Sequence, residues 1–293
     1  MPRVKKEKKG LLRRVRRQRL KNITILPSLV TIINGICGFA ALVFASKNEF
    51  NIACYVILLA MIADMLDGRL ARMSKTTSSF GGQLDSLCDV VSFGAAPAFL
   101  MLKVLESELQ FDSLVFLEDT FFQRFTWLAA AAYLSCAIIR LARFNVENQE
   151  DESAHMSFVG LPTPAAAGVI VSLVLFYQEY RGAFSMLKII VFALPFIALG
   201  TAILMVSRMR YPHVLNQYLR GKKTFSQLIK ALLLLVFVAL YIQEALVVVF
   251  CGFAAGSLVK WLYRKSGILH SHTELKNVTQ DENLESHSEL HRS

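Results

Sequence analysis

The sequence predicts an all-α integral membrane protein with about eight transmembrane helices. The 293-residue chain is 54% hydrophobic and 18% charged, with a mean hydropathy of +0.46, which is more apolar surface than a soluble domain of this size can hide. Apolar windows long enough to cross a hydrocarbon core of roughly 30 Å recur along it, at 26–46, 51–70, 84–105, 126–144, 163–178, 187–206, 228–242 and 244–262. No ten-residue alternating pattern marks barrel strands, so the spans must be helices, which satisfy their own backbone in lipid.

The first element is basic rather than apolar. Eleven cations precede the first span: Arg3, Lys5, Lys6, Lys8, Lys9, Arg13, Arg14, Arg16, Arg17, Arg19 and Lys21, within a net charge of +10. No aromatic residue is interleaved to stack bases, so a nucleic-acid partner is excluded in favour of an anionic membrane surface. The run after Lys21 is long and ends without a small-residue cleavage pattern, so residues 1–25 read as a retained cytoplasmic juxtamembrane segment and not a signal peptide. This segment serves as a positive-inside signal, as an amphipathic helix on anionic lipid, or as both.

A transmembrane core over 26–212 follows, then a loop and helical hairpin over 213–265 and a disordered polar tail over 266–293. Little more than Gln243 separates the last two apolar windows, which predicts a tight turn there. An inside N-terminus places Arg69, Arg72, Lys75, Arg140, Arg143, Arg208, Arg210, Arg220, Lys222, Lys223, Lys260, Arg264 and Lys265 on the cytoplasmic side. The acidic loop containing Glu106, Glu108, Asp112, Glu118 and Asp119 falls outside; Glu147 to Glu152 is the one discordant stretch, and acidic residues weigh little in the rule. Cys37, Cys54, Cys88, Cys136 and Cys251 all lie in apolar stretches with no CxxC spacing, and read as packing residues. The tail histidines His270, His272, His287 and His291 are irregularly spaced and read as solvated.

Ionisable groups inside a span are costly, and each is a functional hypothesis. Asp64 and Asp67 stand three apart at the inner end of the second span, and Asp85 and Asp89 four apart at the inner start of the third. Each spacing puts its pair on one helix face. A hairpin from Met73 to Gly82 makes the two helices antiparallel neighbours, so the pairs converge at the cytoplasmic boundary. Four converging carboxylates repel unless cations sit among them. Oxygen-only ligands suit Mg²⁺, Mn²⁺ or Ca²⁺, and two divalent ions balance the charge. Gly68, Ala71, Gly81 and Gly82 leave room for a bulky group, and Arg72, one turn beyond Asp67, is placed to meet a phosphate.

The order Asp64-x-x-Asp67-Gly68-x-x-Ala71-Arg72, eight residues to Gly81, three to Asp85 and three to Asp89 resembles the signature of the CDP-alcohol phosphatidyltransferases, with no departure. Ser92 to Ala98, Arg140 to Asn145, Gly160 to Ala166, Met205 to Arg208 and Tyr211-Pro212 are similar to the phosphatidylserine synthase branch of that family. The likeness runs from about Leu26 to about Tyr211. It implies a six-helix core with the C-terminal hairpin appended.

By resemblance, Asp64, Asp67, Asp85 and Asp89 ligate the two divalent ions, Asp89 is also the general base, and Gly68 and Arg72 line the nucleotide and phosphate site. Ser78 is a further implied phosphate contact. The implied reaction is attack of the L-serine hydroxyl on the diacylglycerol-bearing phosphorus of CDP-diacylglycerol, releasing CMP. It implies a homodimer in the bacterial inner membrane, with membrane lipids as partners. Small residues Gly35, Gly38 and Ala41 in the first span offer a surface for close helix contact.

Arg140 and Arg143 share a face at the inner end of the fourth span and are candidates for the acceptor's carboxylate, or else positive-inside anchors. Asn34, polar within the first span, contacts the nucleotide or hydrogen-bonds a neighbouring helix. Two other functions compete: a sister enzyme with glycerol 3-phosphate, inositol phosphate or choline as acceptor, and a cation transporter. No carboxylate lies deeper along a route across the bilayer, which argues against transport.

Overall fold

A computed structural model describes residues 29–74, 79–111, 120–150, 160–182, 187–207, 241–256 and 259, with backbone alone at 70–74, 79, 110–111, 120 and 147–150. The described elements are helical. They are α1 (Leu29–Ser46), α2 (Phe50–Ser74), α3 (Ser79–Asp89), a π-helical turn (Val90–Ala95), α4 (Ala96–Phe111), α5 (Thr120–Glu150), α6 (Thr163–Tyr180), α7 (Lys188–Val206) and α8 (Ile242–Gly256).

Among them, Leu29–Ser46, Phe50–Arg69, Phe80–Leu109, Phe121–Val146 and Lys188–Val206 are the five long and apolar enough to cross a membrane. The chain is a multi-pass membrane protein, and five such helices stand where eight were expected. Helix α6 ends in the polar run Tyr177-Gln178-Glu179-Tyr180, which dilutes its apolar character. Helix α8 is short, and the 228–242 window lies outside the described residues except for its last two positions. Gln243 sits in the first turn of α8, so it is not the expected connection. The basic head, the loop after Ser207 and the polar tail also lie outside the described residues.

Helix α6 is the central element, buried along most of its length from Thr163 to Tyr177. It packs on α2 and α7, and α5 packs on α7. Helix α8 closes over α6 because Gly168 has no side chain: a Cβ there would lie 2.3 Å from the Phe250 ring. The Tyr180 hydroxyl donates to Glu244 across the same contact. Large apolar side chains such as Ile36, Phe39, Leu59, Trp127 and Ile203 point outward, as lipid-facing positions require.

Three local devices set the geometry at the carboxylate end and its opposite. Helix α1 stops at Asn48, which adopts the left-handed conformation (φ 62), while Asn48 N–H donates to Ala45 O and Glu49 N–H to Phe44 O, closing a Schellman cap. Helix α3 passes into α4 through the π turn, in which Ala96 N–H reaches back five residues to Val91 O. The wide turn frees a carbonyl, and the buried Tyr133 hydroxyl satisfies Phe93 O at 3.0 Å. Gly160, at φ +91, lets the chain before α6 lie against the end of α7, with Leu161 N–H donating to Leu204 O at 3.0 Å.

The small residues of α1 are used within the chain. A Cβ on Gly35 would lie 2.9 Å from Cys88 Sγ, and one on Gly38 would lie 2.6 Å from Ser92 Cα; Ala41 is buried too. The close helix contact expected of this stripe is made within the chain, to α3 and the π turn. Gly38→Ala is expected to force α1 off the π turn and destabilise the fold by about 1–3 kcal/mol, read as a lower melting temperature of the purified protein in detergent.

Candidate metal and active site

The C-terminal end of α2 and the start of α3 are joined by a short connection. Helix α2 runs to Ser74 and α3 begins at Ser79, so the link is tighter than the Met73 to Gly82 hairpin expected, and Gly81 and Gly82 belong to α3. Carboxylate oxygens of Asp64, Asp67 and Asp85 lie within 4.8 Å of one another. Asp67 is buried at 4% exposure.

Asp89 lies one turn deeper than Asp85 on α3, at 6% exposure. It stands outside the three-carboxylate group, yet its charge and those of Asp64, Asp67 and Asp85 act on one another. Asn34, fully buried, donates from Nδ2 to Asp89 Oδ1 at 2.9 Å. Of the two roles considered for Asn34, this is the bond to a neighbouring helix.

Arg140, on α5, faces Asp64 and Asp89 closely enough to interact with both charges. Its guanidinium donates to Thr163 Oγ1 at 3.2 Å, tying α5 to the first residue of α6. Arg143 lies a turn further on and is half-buried. Ser86 Oγ donates to Asn145 Oδ1 at 3.0 Å, a tie between α3 and α5. A Cβ on Gly68 or Gly82 would meet nothing within 4 Å, so the space beside the carboxylates is open. The side chain of Arg72 and all of Ser78 lie outside the described side chains and residues.

Sequence reasoning did not single out Thr31, Thr163 or the Ser86 and Asn145 pair. Thr31 hydrogen-bonds Asp67 from α1. The signal for it was present: Thr31 and Asn34 are polar residues three apart in an apolar helix, hence on one face. Thr163 lies in the stretch Gly160 to Ala166 likened to one branch of the family, but no periodicity points to its partner, which is distant in sequence.

Residues 24–196 match the family model described as CDP-alcohol phosphatidyltransferase. The chain belongs to the CDP-alcohol phosphatidyltransferase family. This phosphatidyltransferase is 33% identical over 242 residues to CDP-diacylglycerol--serine O-phosphatidyltransferase of Helicobacter pylori, covering 82% of the chain and 92% of that relative. It is 31% identical over 201 residues to the archaetidylserine synthase of Methanothermobacter thermautotrophicus, covering 67% of the chain and 73% of the relative. A solved structure of Mycobacterium tuberculosis phosphatidylinositol phosphate synthase with CDP-DAG bound matches at a TM-score of 0.43 and 20% identity, over 60% of this chain and 82% of that one. Membership of a transferase family sets the transporter alternative aside.

The residues fit a divalent cation. Asp67 Oδ2 and Asp85 Oδ1 are buried with no hydrogen-bond partner among the described residues, and an anionic oxygen removed from water without a partner is costly. A hard cation with oxygen ligands would satisfy both. Mn²⁺ at about 100 times its dissociation constant should stabilise the folded protein by about 2.7 kcal/mol, seen as a rise in melting temperature that EDTA reverses. Asp67→Asn and Asp85→Asn should each abolish the rise and restore the spectrum of free Mn²⁺ in electron paramagnetic resonance.

Proposed function

We propose that this phosphatidyltransferase is a CDP-diacylglycerol–serine O-phosphatidyltransferase, forming phosphatidylserine and CMP. The observation that carries the reading is the convergence of Asp64, Asp67 and Asp85 beside Asp89 and Arg140. Serine transferases among the relatives, one matched over 92% of its length, support serine as acceptor. The core over 26–212 carries the chemistry, between the basic segment 1–25 and the appended 213–265 and 266–293. The enzyme sits in a bacterial inner membrane with both termini and the active site on the cytoplasmic side, where its substrates are, and acts as a homodimer.

Asp64, Asp67, Asp85 and Asp89 would hold two divalent cations, Mg²⁺ or Mn²⁺, or Ca²⁺. Bound there, such cations offset negative charge on the pyrophosphate of the donor and on the departing CMP. The chain's own residues orient the reactants. Gly68 leaves space for the nucleotide, and Arg72 and Ser78 contact phosphate oxygens. Arg140, with Arg143 near it, receives the serine carboxylate through charge-assisted hydrogen bonds.

Asp89 accepts the proton of the serine hydroxyl as that oxygen forms its bond to the diacylglycerol-bearing phosphorus. The bond from that phosphorus to the bridging oxygen breaks, and CMP leaves with the electron pair. A carboxylate is a weak base for an alcohol, so proton removal accompanies attack rather than preceding it.

The test is CMP release by purified enzyme in detergent with CDP-diacylglycerol, a divalent cation and, in separate reactions, serine, glycerol 3-phosphate, inositol phosphate or choline. Serine alone should support release, and a chelator should stop it; release with another acceptor only would overturn serine as substrate while leaving the family intact. Asp89→Asn should abolish turnover in protein that remains folded. Arg140→Ala should remove an ion-assisted bond of about 1.5–3 kcal/mol, raising the KM for serine roughly 10- to 100-fold while the KM for CDP-diacylglycerol changes little.

A further inference from the structure

Helix α1 brings no charge to the site, yet it touches two of the four aspartates. Thr31 and Asn34 lie on one face of α1, and they bond Asp67 of α2 and Asp89 of α3 respectively. Gly35 and Gly38 extend this face, and their missing side chains let α1 approach Cys88 and Ser92. Ser92 Oγ donates to the backbone carbonyl of Asn34 at 2.8 Å. The residue that meets Asp89 is thus fixed at its own backbone by the π turn that follows Asp89.

An ionised carboxylate only accepts hydrogen bonds, so the amide must turn its NH₂ group toward Asp89. Asn34 Oδ1 is then left buried with no partner among the described residues. A fully buried amide with one half unpartnered is not there for stability alone, since an apolar residue of that shape would avoid the desolvation cost.

We infer that Asn34 is a positioning residue for Asp89: its Nδ2 holds Oδ1 and so fixes the rotation of the carboxylate that takes the acceptor's proton. Without the amide, the carboxylate turns about its Cβ–Cγ bond. The misaligned oxygen then meets the hydroxyl less often in reacting geometry. The inference rests on the proposed role of Asp89 as base.

The experiment compares the full-length wild type with Asn34→Leu, which keeps the branched shape in a bulkier side chain and removes the donor, and with Asn34→Ala. CMP release is measured in detergent with CDP-diacylglycerol and whichever acceptor the wild type uses. Rates are normalised to folded, monodisperse protein, so an unfolding variant loses yield and not kcat, and Asn34→Ala decides if Asn34→Leu does not fold.

Both variants should lose kcat about 10- to 100-fold, with the KM for CDP-diacylglycerol within about twofold of wild type. A raised KM for CDP-diacylglycerol with kcat retained would overturn the inference in favour of a nucleotide contact. Unchanged kinetics would overturn it in favour of a packing role. Failure of the wild type with every acceptor would instead refute the reading of Asp89 as base, and the inference with it.

Discussion

Four carboxylates placed inside the ends of two apolar helices are the constraint on which the rest of this structure depends. Removing one ionised carboxylate from water costs several kcal/mol even after relaxation, and like charges at this separation add to that cost. The surroundings answer with partners of three kinds. Arg140 brings a positive charge from α5, Thr31 and Asn34 bring hydrogen bonds from α1, and Asp67 Oδ2 and Asp85 Oδ1, without hydrogen-bond partners among the described residues, suit a hard cation. None of these partners is close to the aspartates in sequence except through α2 and α3 themselves. The carboxylates therefore draw α1 and α5 to one end of the bundle.

The π turn is part of the same arrangement. Inserting a wider turn right after Asp89 changes the angular register of everything that follows, so that α4 can face the core while α3 faces the site. The turn costs a freed carbonyl, which Tyr133 satisfies from α5, and it needs a thin neighbour, which Gly38 provides on α1. Ser92, inside the turn, bonds the backbone of α1. A single distortion thus links Asp89, the helix that bonds it and the helix that carries Arg140. That is why a small change at Gly38 should be felt at Asp89, although the two do not touch.

The convergence of the carboxylates was legible in the sequence because it is local. The spacing of Asp64, Asp67, Asp85 and Asp89 on two helices joined by a short link determines their convergence, and the structure brings three of the carboxylates within 4.8 Å of one another. The apolar windows of α1, α2, α5 and α7 were legible for the same reason, since a span is a property of consecutive residues. The third span was read as 84–105 and begins earlier, at Phe80, because glycines that look like a turn in a sequence can also sit in a helix that is packed or opened to a ligand. Gly35 and Gly38 were legible as a surface for close helix contact, but the partner that meets them was not. A small-residue stripe says that something approaches closely, and only the tertiary structure says that the something is Cys88 and Ser92.

The surroundings of Arg140 were less legible, and the reason is physical. Arg140 and Thr163 meet at 3.2 Å because α5 and α6 converge, and Thr163 is held there because Gly160 allows the preceding chain to bond the end of α7. Neither fact follows from a periodicity. A site assembled in this way separates two demands on the enzyme. In the proposed enzyme, the metal and nucleotide chemistry belongs to the aspartates of α2 and α3, while the acceptor meets an arginine whose place relative to Asp89 is set by α5, α6 and α7. On that proposal, a substitution around Gly160 or Thr163 acts on the acceptor while leaving the aspartates in place.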